Sequence, residues 1–94
     1  MNVIGIGTLS EFSQNHADAR GQLKAWLYEA KDADWQRSHD IKQKYASASF
    51  LAENRVVFNI KGKDYRLVTK IDYENKIVLI EKIGTHAEYS KWKL

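Results

Sequence analysis

At Arg55 the hydrophobic period of this chain switches from helical to strand-like, and that switch constrains the fold more than any other feature. Three short runs rich in β-branched and aromatic residues follow, over 55–60, 65–71 and 77–83. The turn signals Lys61-Gly62-Lys63-Asp64 and Asp72-Tyr73-Glu74-Asn75 separate them. Connections this short join antiparallel neighbours, because a parallel pair needs a crossover of a dozen residues or more. The three runs therefore predict an antiparallel meander. A hairpin centred on Gly62-Lys63 sets Ile60 opposite Tyr65, Asn59 opposite Arg66 and Phe58 opposite Leu67. One face then carries Val56, Phe58, Ile60, Tyr65, Leu67, Thr69 and Ile71, and needs a covering layer. The other carries Arg55, Asn59, Lys61, Arg66 and Lys70, with Val57 and Val68 between them and no acid until Glu81 on the third strand. A register slip of one residue would mix the two sets, so the clean sorting supports this register.

The first half supplies the cover. Val3-Ile4-Gly5-Ile6 suits a first or edge strand. Thr8-Leu9-Ser10-Glu11 has the capping-box pattern and predicts a helix from there to Asn15-His16. Leu23, Trp26, Leu27 and Ala30 form one apolar stripe, with Gln22, Lys24, Glu29 and Asp32 opposite, so residues 8–33 read as two helices in a hairpin. Trp35 precedes a short helix over 38–45 with Ser38 as its candidate N-cap, and residues 84–94 form a tail with one helical turn from His86. The expected fold class is α+β, a small antiparallel sheet with N-terminal helices packed on one face, in one domain over residues 1–94.

The composition excludes much chemistry. There is no cysteine, hence no disulfide framework, thiolate zinc site or thiol nucleophile. No His/Asp/Glu set has metal-ligand spacing, and no cofactor or metal is expected. Gly5-Ile6-Gly7 lacks the third glycine of a dinucleotide fingerprint, and no serine sits in a Gly-x-Ser-x-Gly setting. No apolar run approaches the roughly 20 residues that span a bilayer, and the first residues lack a signal peptide's basic and apolar regions. A cytoplasmic location without a membrane partner is the expectation.

Charge is asymmetric. Residues 1–54 hold six Lys/Arg and seven Asp/Glu, whereas residues 55–94 hold nine and five, so the net positive charge belongs to the predicted sheet. This points to a polyanion or an acidic protein as partner, against the plain alternative of a solvated sheet face. His16 and His39 fall at helix boundaries, where solvated or capping roles suit them. His86, at a strand end beside the basic face, stands where a general acid or base is useful.

The run from Val57 to Val68, through Lys61-Gly62-Lys63-Asp64-Tyr65-Arg66, resembles the central strand pair of HigB-type toxins, and Gly84-Thr85-His86-Ala87-Glu88-Tyr89 resembles their C-terminal signature. Trp35, Asp40-Ile41-Lys42 and Tyr45 are similar to the family's middle segment, and Ala17-Asp18-Ala19 with Leu23 and Trp26-Leu27 to its second helix. The resemblance implies a RelE-like toxin of a bacterial toxin–antitoxin module. Its expected activity is metal-independent cleavage of mRNA, typically on the translating ribosome. A HigA-type helix-turn-helix antitoxin would neutralise it and, in complex with it, repress the operon. Within that reading Arg66 clamps the scissile phosphate, His86 is general acid or base, and Tyr89 stacks on a base or assists proton transfer. Arg55, Asn59, Lys61, Lys63 and Lys70 hold the RNA. Two departures from the family pattern are Lys63, where Asn is frequent, and Ser90, where Asp is frequent. A non-catalytic RNA-binding module, or a ParE-like toxin acting on DNA gyrase, are the competing readings.

Overall fold

The computed structural model describes residues 1–94 and orders the elements as β1 (Asn2–Ile4), α1 (Ile6–Asn15), a 3-10 turn (Ala17–Ala19), α2 (Arg20–Asp32), α3 (Ser38–Lys44), β2 (Ser49–Leu51), β3 (Arg55–Ile60), β4 (Tyr65–Asp72), β5 (Ile77–Thr85) and α4 (His86–Tyr89). The five strands form one sheet in the order β1-β5-β4-β3-β2. The meander β3-β4-β5 has the expected register, with Ile60 opposite Tyr65, Asn59 opposite Arg66 and Phe58 opposite Leu67. The expected edge strand forms over Asn2–Ile4, while Ile6 already belongs to α1. β1 lies parallel to β5, pairing Asn2 with Ile77 and Ile4 with Leu79. β2, a strand beyond the expected ones, adds antiparallel to β3.

The core lies where the alternation placed it. Val56, Phe58, Ile60, Tyr65, Leu67, Thr69 and Ile71 are all buried. Leu23, Trp26 and Ala30 of α2, Leu9 of α1, Trp35 and Ile41 of α3 close over them in one cluster. Phe58 is the hub: the ring centroids of Tyr45, Trp26 and Trp35 lie 5.0, 5.3 and 6.2 Å from it. Thr69, the one polar side chain in this layer, donates its hydroxyl to the Val56 carbonyl at 2.9 Å, which offsets the cost of burying it. Tyr45 donates to Glu29 at 2.5 Å and ties α3 to α2. Burial, and then the Glu29 carboxylate, push the Tyr45 phenol well above its ordinary pKa.

Both helix starts read from hydroxyl residues are corrected. α1 begins at Ile6, two residues before Thr8, because Gly5 turns the chain directly from strand to helix with φ of 97°. That left-handed conformation suits glycine, and a Cβ there would lie 3.1 Å from the Ile80 carbonyl oxygen. Ser38 is the first residue of α3 and caps nothing; Asp40 accepts the Gln36 backbone N–H at 2.9 Å instead. A capping box does form, but at α4. Thr85 Oγ1 accepts from the Glu88 N–H at 3.2 Å, and Glu88 Oε1 accepts from the Thr85 N–H at 2.9 Å.

β5 runs two residues further than expected and carries a bulge at Glu81: Val68 pairs with Lys82 while Thr69 pairs with Ile80. The extra residue lets Ile80 and Ile83, three apart, both join the apolar face opposite Thr69 and Leu67. It also aims Lys82 and Gly84 at the open face, beside Val68 and Arg66.

Candidate nucleic-acid interface

The face turned away from the helices is built by alternation on β3, β4 and β5. Arg55 lies opposite Lys70, Val57 opposite Val68, and Asn59 opposite Arg66. Val57 and Val68 are only 2% and 0% exposed, yet they stand outside the main core cluster. Their register neighbours Arg55, Asn59, Arg66, Lys70 and Lys82 are long or polar, so their stems close over the two valines while their heads reach water.

Arg66 is anchored on this face without a carboxylate partner. It donates to the Lys63 carbonyl at 2.6 Å, and its guanidinium carbon lies 5.3 Å from the centre of the Tyr89 ring. A cation over an aromatic face is held there without losing its charge. No carboxylate pairs with Arg66, Lys63, Lys70 or Lys82; the four ion pairs of the chain involve Lys44, Arg55, Lys61 and Lys76. Arg66 therefore keeps unsatisfied N–H donors in a fixed position, which suits the bidentate geometry of phosphate.

The register also delivers the tail to this place. Arg66 pairs with Gly84 and Tyr65 with Thr85, and the His86 backbone N–H donates to the Asp64 carbonyl at 2.9 Å. His86 thus leaves the sheet beside the β3–β4 turn with an exposed imidazole, three residues before the ring that carries Arg66. Ser90, where the family often has an acid, donates its hydroxyl to the His86 carbonyl at 3.0 Å. Arg66 and Tyr89 thus meet at one end of the open face, and the backbone brings Lys63 and His86 next to them.

Other predicted residues separate from this group. Lys61 was placed on the basic face by alternation, but the strand ends at Ile60 and Lys61 adopts a left-handed backbone with φ of 51°. Its ammonium is 2.7 Å from Asp18 on the helical side, and its backbone N–H donates to the Gln22 side chain. Lys61 is therefore corrected from open-face cation to a link between the hairpin and the helices. Arg55 lies on the expected face but is paired at 2.7 Å with Glu53, which stands in the turn before β3. The Arg55 guanidinium, and more weakly Lys70, lower the Glu53 pKa. Asn59 donates its amide to the Ser47 carbonyl at 3.1 Å, leaving its oxygen available. His16 caps the C-terminus of α1 as expected, its backbone N–H donating to the Phe12 carbonyl at 3.0 Å with Nδ1 3.3 Å from the same oxygen, and its ring also stacks on Phe12 at 4.0 Å and meets the Tyr65 ring edge-on at 5.3 Å.

Asp18 accepts from both Lys61 and Tyr65, the latter at 2.6 Å. The Lys61 and then the Tyr65 hydrogen bond hold its carboxyl below the usual range, and Asp18 in turn pushes the Tyr65 phenol up to about 12. The signs give two pH limbs. Asp18 has a lowered folded pKa, so its contribution is present above the unfolded value of about 3.9 and is lost on acidification. Tyr65 has a raised folded pKa, so its contribution is complete below about pH 10 and is lost as pH rises through its folded value. Asp18→Asn should therefore flatten the pH dependence of the urea midpoint both below pH 4 and above pH 10. A variant curve parallel to wild type on both limbs would exclude this triad as their source.

A small mixed sheet with helices on one face, and unpaired cations and exposed tail residues on the other, defines an α+β fold of the RelE-like kind. Residues 19–92 match the family model HigB_toxin, described as a RelE-like toxic component of a toxin-antitoxin system, and the chain belongs to that family. No curated protein matches the sequence. The chain is thus the toxin of a toxin–antitoxin system, and an antitoxin is its partner. No helix is long and apolar enough to cross a membrane.

Proposed function

We propose that the chain is an endoribonuclease that cuts mRNA in association with the ribosome, without a metal ion, using the RNA's own 2′-hydroxyl as nucleophile. The observation that carries this reading is the fixed, acid-free guanidinium of Arg66 between the Lys63 carbonyl and the Tyr89 ring, with His86 on the adjoining element. Arg66 binds the scissile phosphate and stabilises the charge that grows on it as the 2′-oxygen attacks. His86 removes the 2′-hydroxyl proton or delivers one to the leaving 5′-oxygen. Tyr89 positions Arg66 and offers its ring or hydroxyl to the substrate. Lys63 and Lys70, both exposed and unpaired, hold neighbouring phosphates, and Asn59 offers its amide oxygen to a ribose or base. Arg55 contributes more weakly because Glu53 already occupies it. The exposed face and its cations suit a ribosome-bound strand, because phosphate contacts position without reading sequence.

Salt dependence tests the phosphate contacts. For single-stranded RNA, log affinity falls against log salt by about 0.7 per contact. Lys63→Ala and Lys70→Ala should each reduce the slope by about that amount, and Lys61→Ala should leave it nearly unchanged because Asp18 holds that charge. The slopes come from anisotropy titrations of a labelled single strand. An unchanged slope in the Lys63→Ala/Lys70→Ala double variant would remove both residues from the RNA interface.

A further inference from the structure

The residues after α4 place a second aromatic side chain on the open face, and the cleavage chemistry leaves it without a role. Of the three tryptophans, Trp26 and Trp35 are 2% and 6% exposed and belong to the core, whereas Trp92 is only partly covered. Its indole lies against Gly84, where an added methyl group would come within 2.9 Å of both Cη2 and Cζ2. Glycine at position 84 therefore makes the space that this ring fills. The Lys82 ammonium lies 5.3 Å from the Trp92 ring centre, and the Tyr89 ring 6.0 Å from it at 78°. Gly84 is the register partner of Arg66, and Lys82 that of Val68, so this pair of rings and pair of cations share one surface.

We propose that Trp92 is a stacking platform for a second, unpaired nucleobase of single-stranded RNA, with Lys82 beside it to meet the adjoining phosphate; this rests on the RNA reading above. An indole needed only to fasten the tail would be sealed like Trp26, whereas this one keeps surface in water next to an unpaired ammonium. Alternating aromatic rings and cations are the chemistry of single-strand binding, since every base has a π-face and every nucleotide a charge. The two rings are nearly perpendicular, so bases lying on Tyr89 and on Trp92 cannot stay stacked on each other. The strand must splay there, which only unpaired RNA does at small cost.

The test uses the full chain and two uncleavable 2′-O-methyl oligoribonucleotides of equal length, one of mixed sequence and one made abasic throughout. Trp92→Ala should weaken binding of the base-bearing strand by about 5- to 150-fold, the range that loss of one stacked base produces. It should leave abasic binding and the salt slope unchanged. Trp92→Phe should restore most of the affinity, and Lys82→Ala should lower the salt slope by about 0.7 on either strand. Gly84→Ala, which displaces the ring without removing it, should reproduce the Trp92→Ala loss. In wild type the base-bearing strand should also quench an indole emission that Trp92→Phe lacks, a readout independent of any variant's stability. Equal weakening of both strands by Trp92→Ala, or none on either, would overturn the stacking role while leaving RNA binding in place. Failure of wild type to bind either strand would overturn the RNA reading and this proposal together.

Discussion

Replacing the nucleotide on the 5′ side of the cut with its 2′-deoxy form should abolish cleavage and leave binding almost unchanged. The chain contains no cysteine, and the side chains we assign to the reaction are a guanidinium, an imidazole, a phenol and an ammonium. RNA brings its own nucleophile one bond from the phosphate, so the protein needs to align it, shuttle protons and neutralise charge. Alignment of a neighbouring group is worth several kcal/mol on its own. The products should be a 2′,3′-cyclic phosphate, or the 3′-phosphate to which it opens, and a 5′-hydroxyl. Cleavage should persist in EDTA when the ribosome is kept intact. Mass spectrometry of the fragments reads the termini directly. Efficient cutting of the deoxy substrate, or a 5′-phosphate product, would exclude 2′-hydroxyl attack.

The second large effect belongs to the two side chains to which we assign that chemistry. His86→Gln should slow single-turnover cleavage by about 10²–10⁴-fold, the usual worth of a positioned proton-transfer group. Arg66→Ala should slow it by about 10²–10³-fold through lost stabilisation of the phosphorane charge. Neither change should unfold the protein. The His86 side chain is exposed, so its variant's urea midpoint should stay close to wild type, whereas Arg66→Ala removes a stem that covers Val57 and Val68 and should lower the midpoint slightly. Antitoxin binding provides a second check on the fold. Full activity in His86→Gln would pass the proton to Tyr89, since Lys61 is engaged with Asp18 on the far side of the hairpin.

The legible part of this molecule is the part governed by period and by tight turns. Alternation in β3 and β4 sorted core from open face, and the register followed because Lys61-Gly62 is a left-handed turn that glycine permits. β2 escaped because its hairpin turns on Glu53 and Asn54, both with positive φ, without the glycine that normally marks such a turn. The bulge was hidden for a related reason: Glu81-Lys82 between Ile80 and Ile83 looks like an ordinary polar interruption, and only pairing with β4 shows that one of the two is surplus. Thr8 and Ser38 match capping chemistry, but caps depend on where the chain turns, and Gly5 and Arg37 hold those places.

At the candidate site, Arg66, His86 and Tyr89 could be named from motif and strand position. The separation of Lys61 and Arg55 from them could not, because it depends on Asp18, 43 residues from Lys61 in sequence, and on a turn acid, Glu53. Trp92 carries a readable signal of its own. Lys91-Trp92-Lys93 interleaves an aromatic residue with cations just after the C-terminal motif.

The parallel pairing of β1 with β5 has a consequence for biosynthesis. Asn2 to Ile4 have no strand to lie against until Ile77 to Leu79 have been made, and Gly5, which starts α1, rests on Ile80. Closing so long a loop is slow and is rewarded only at its end. A nascent chain stopped before residue 77 lacks the partner of its first strand, the strand that bears Gly84 and Lys82, and the turn that carries His86 and Tyr89. A chain that ends before residue 77 therefore cannot complete the sheet or present His86, Tyr89 and Trp92 beside β4.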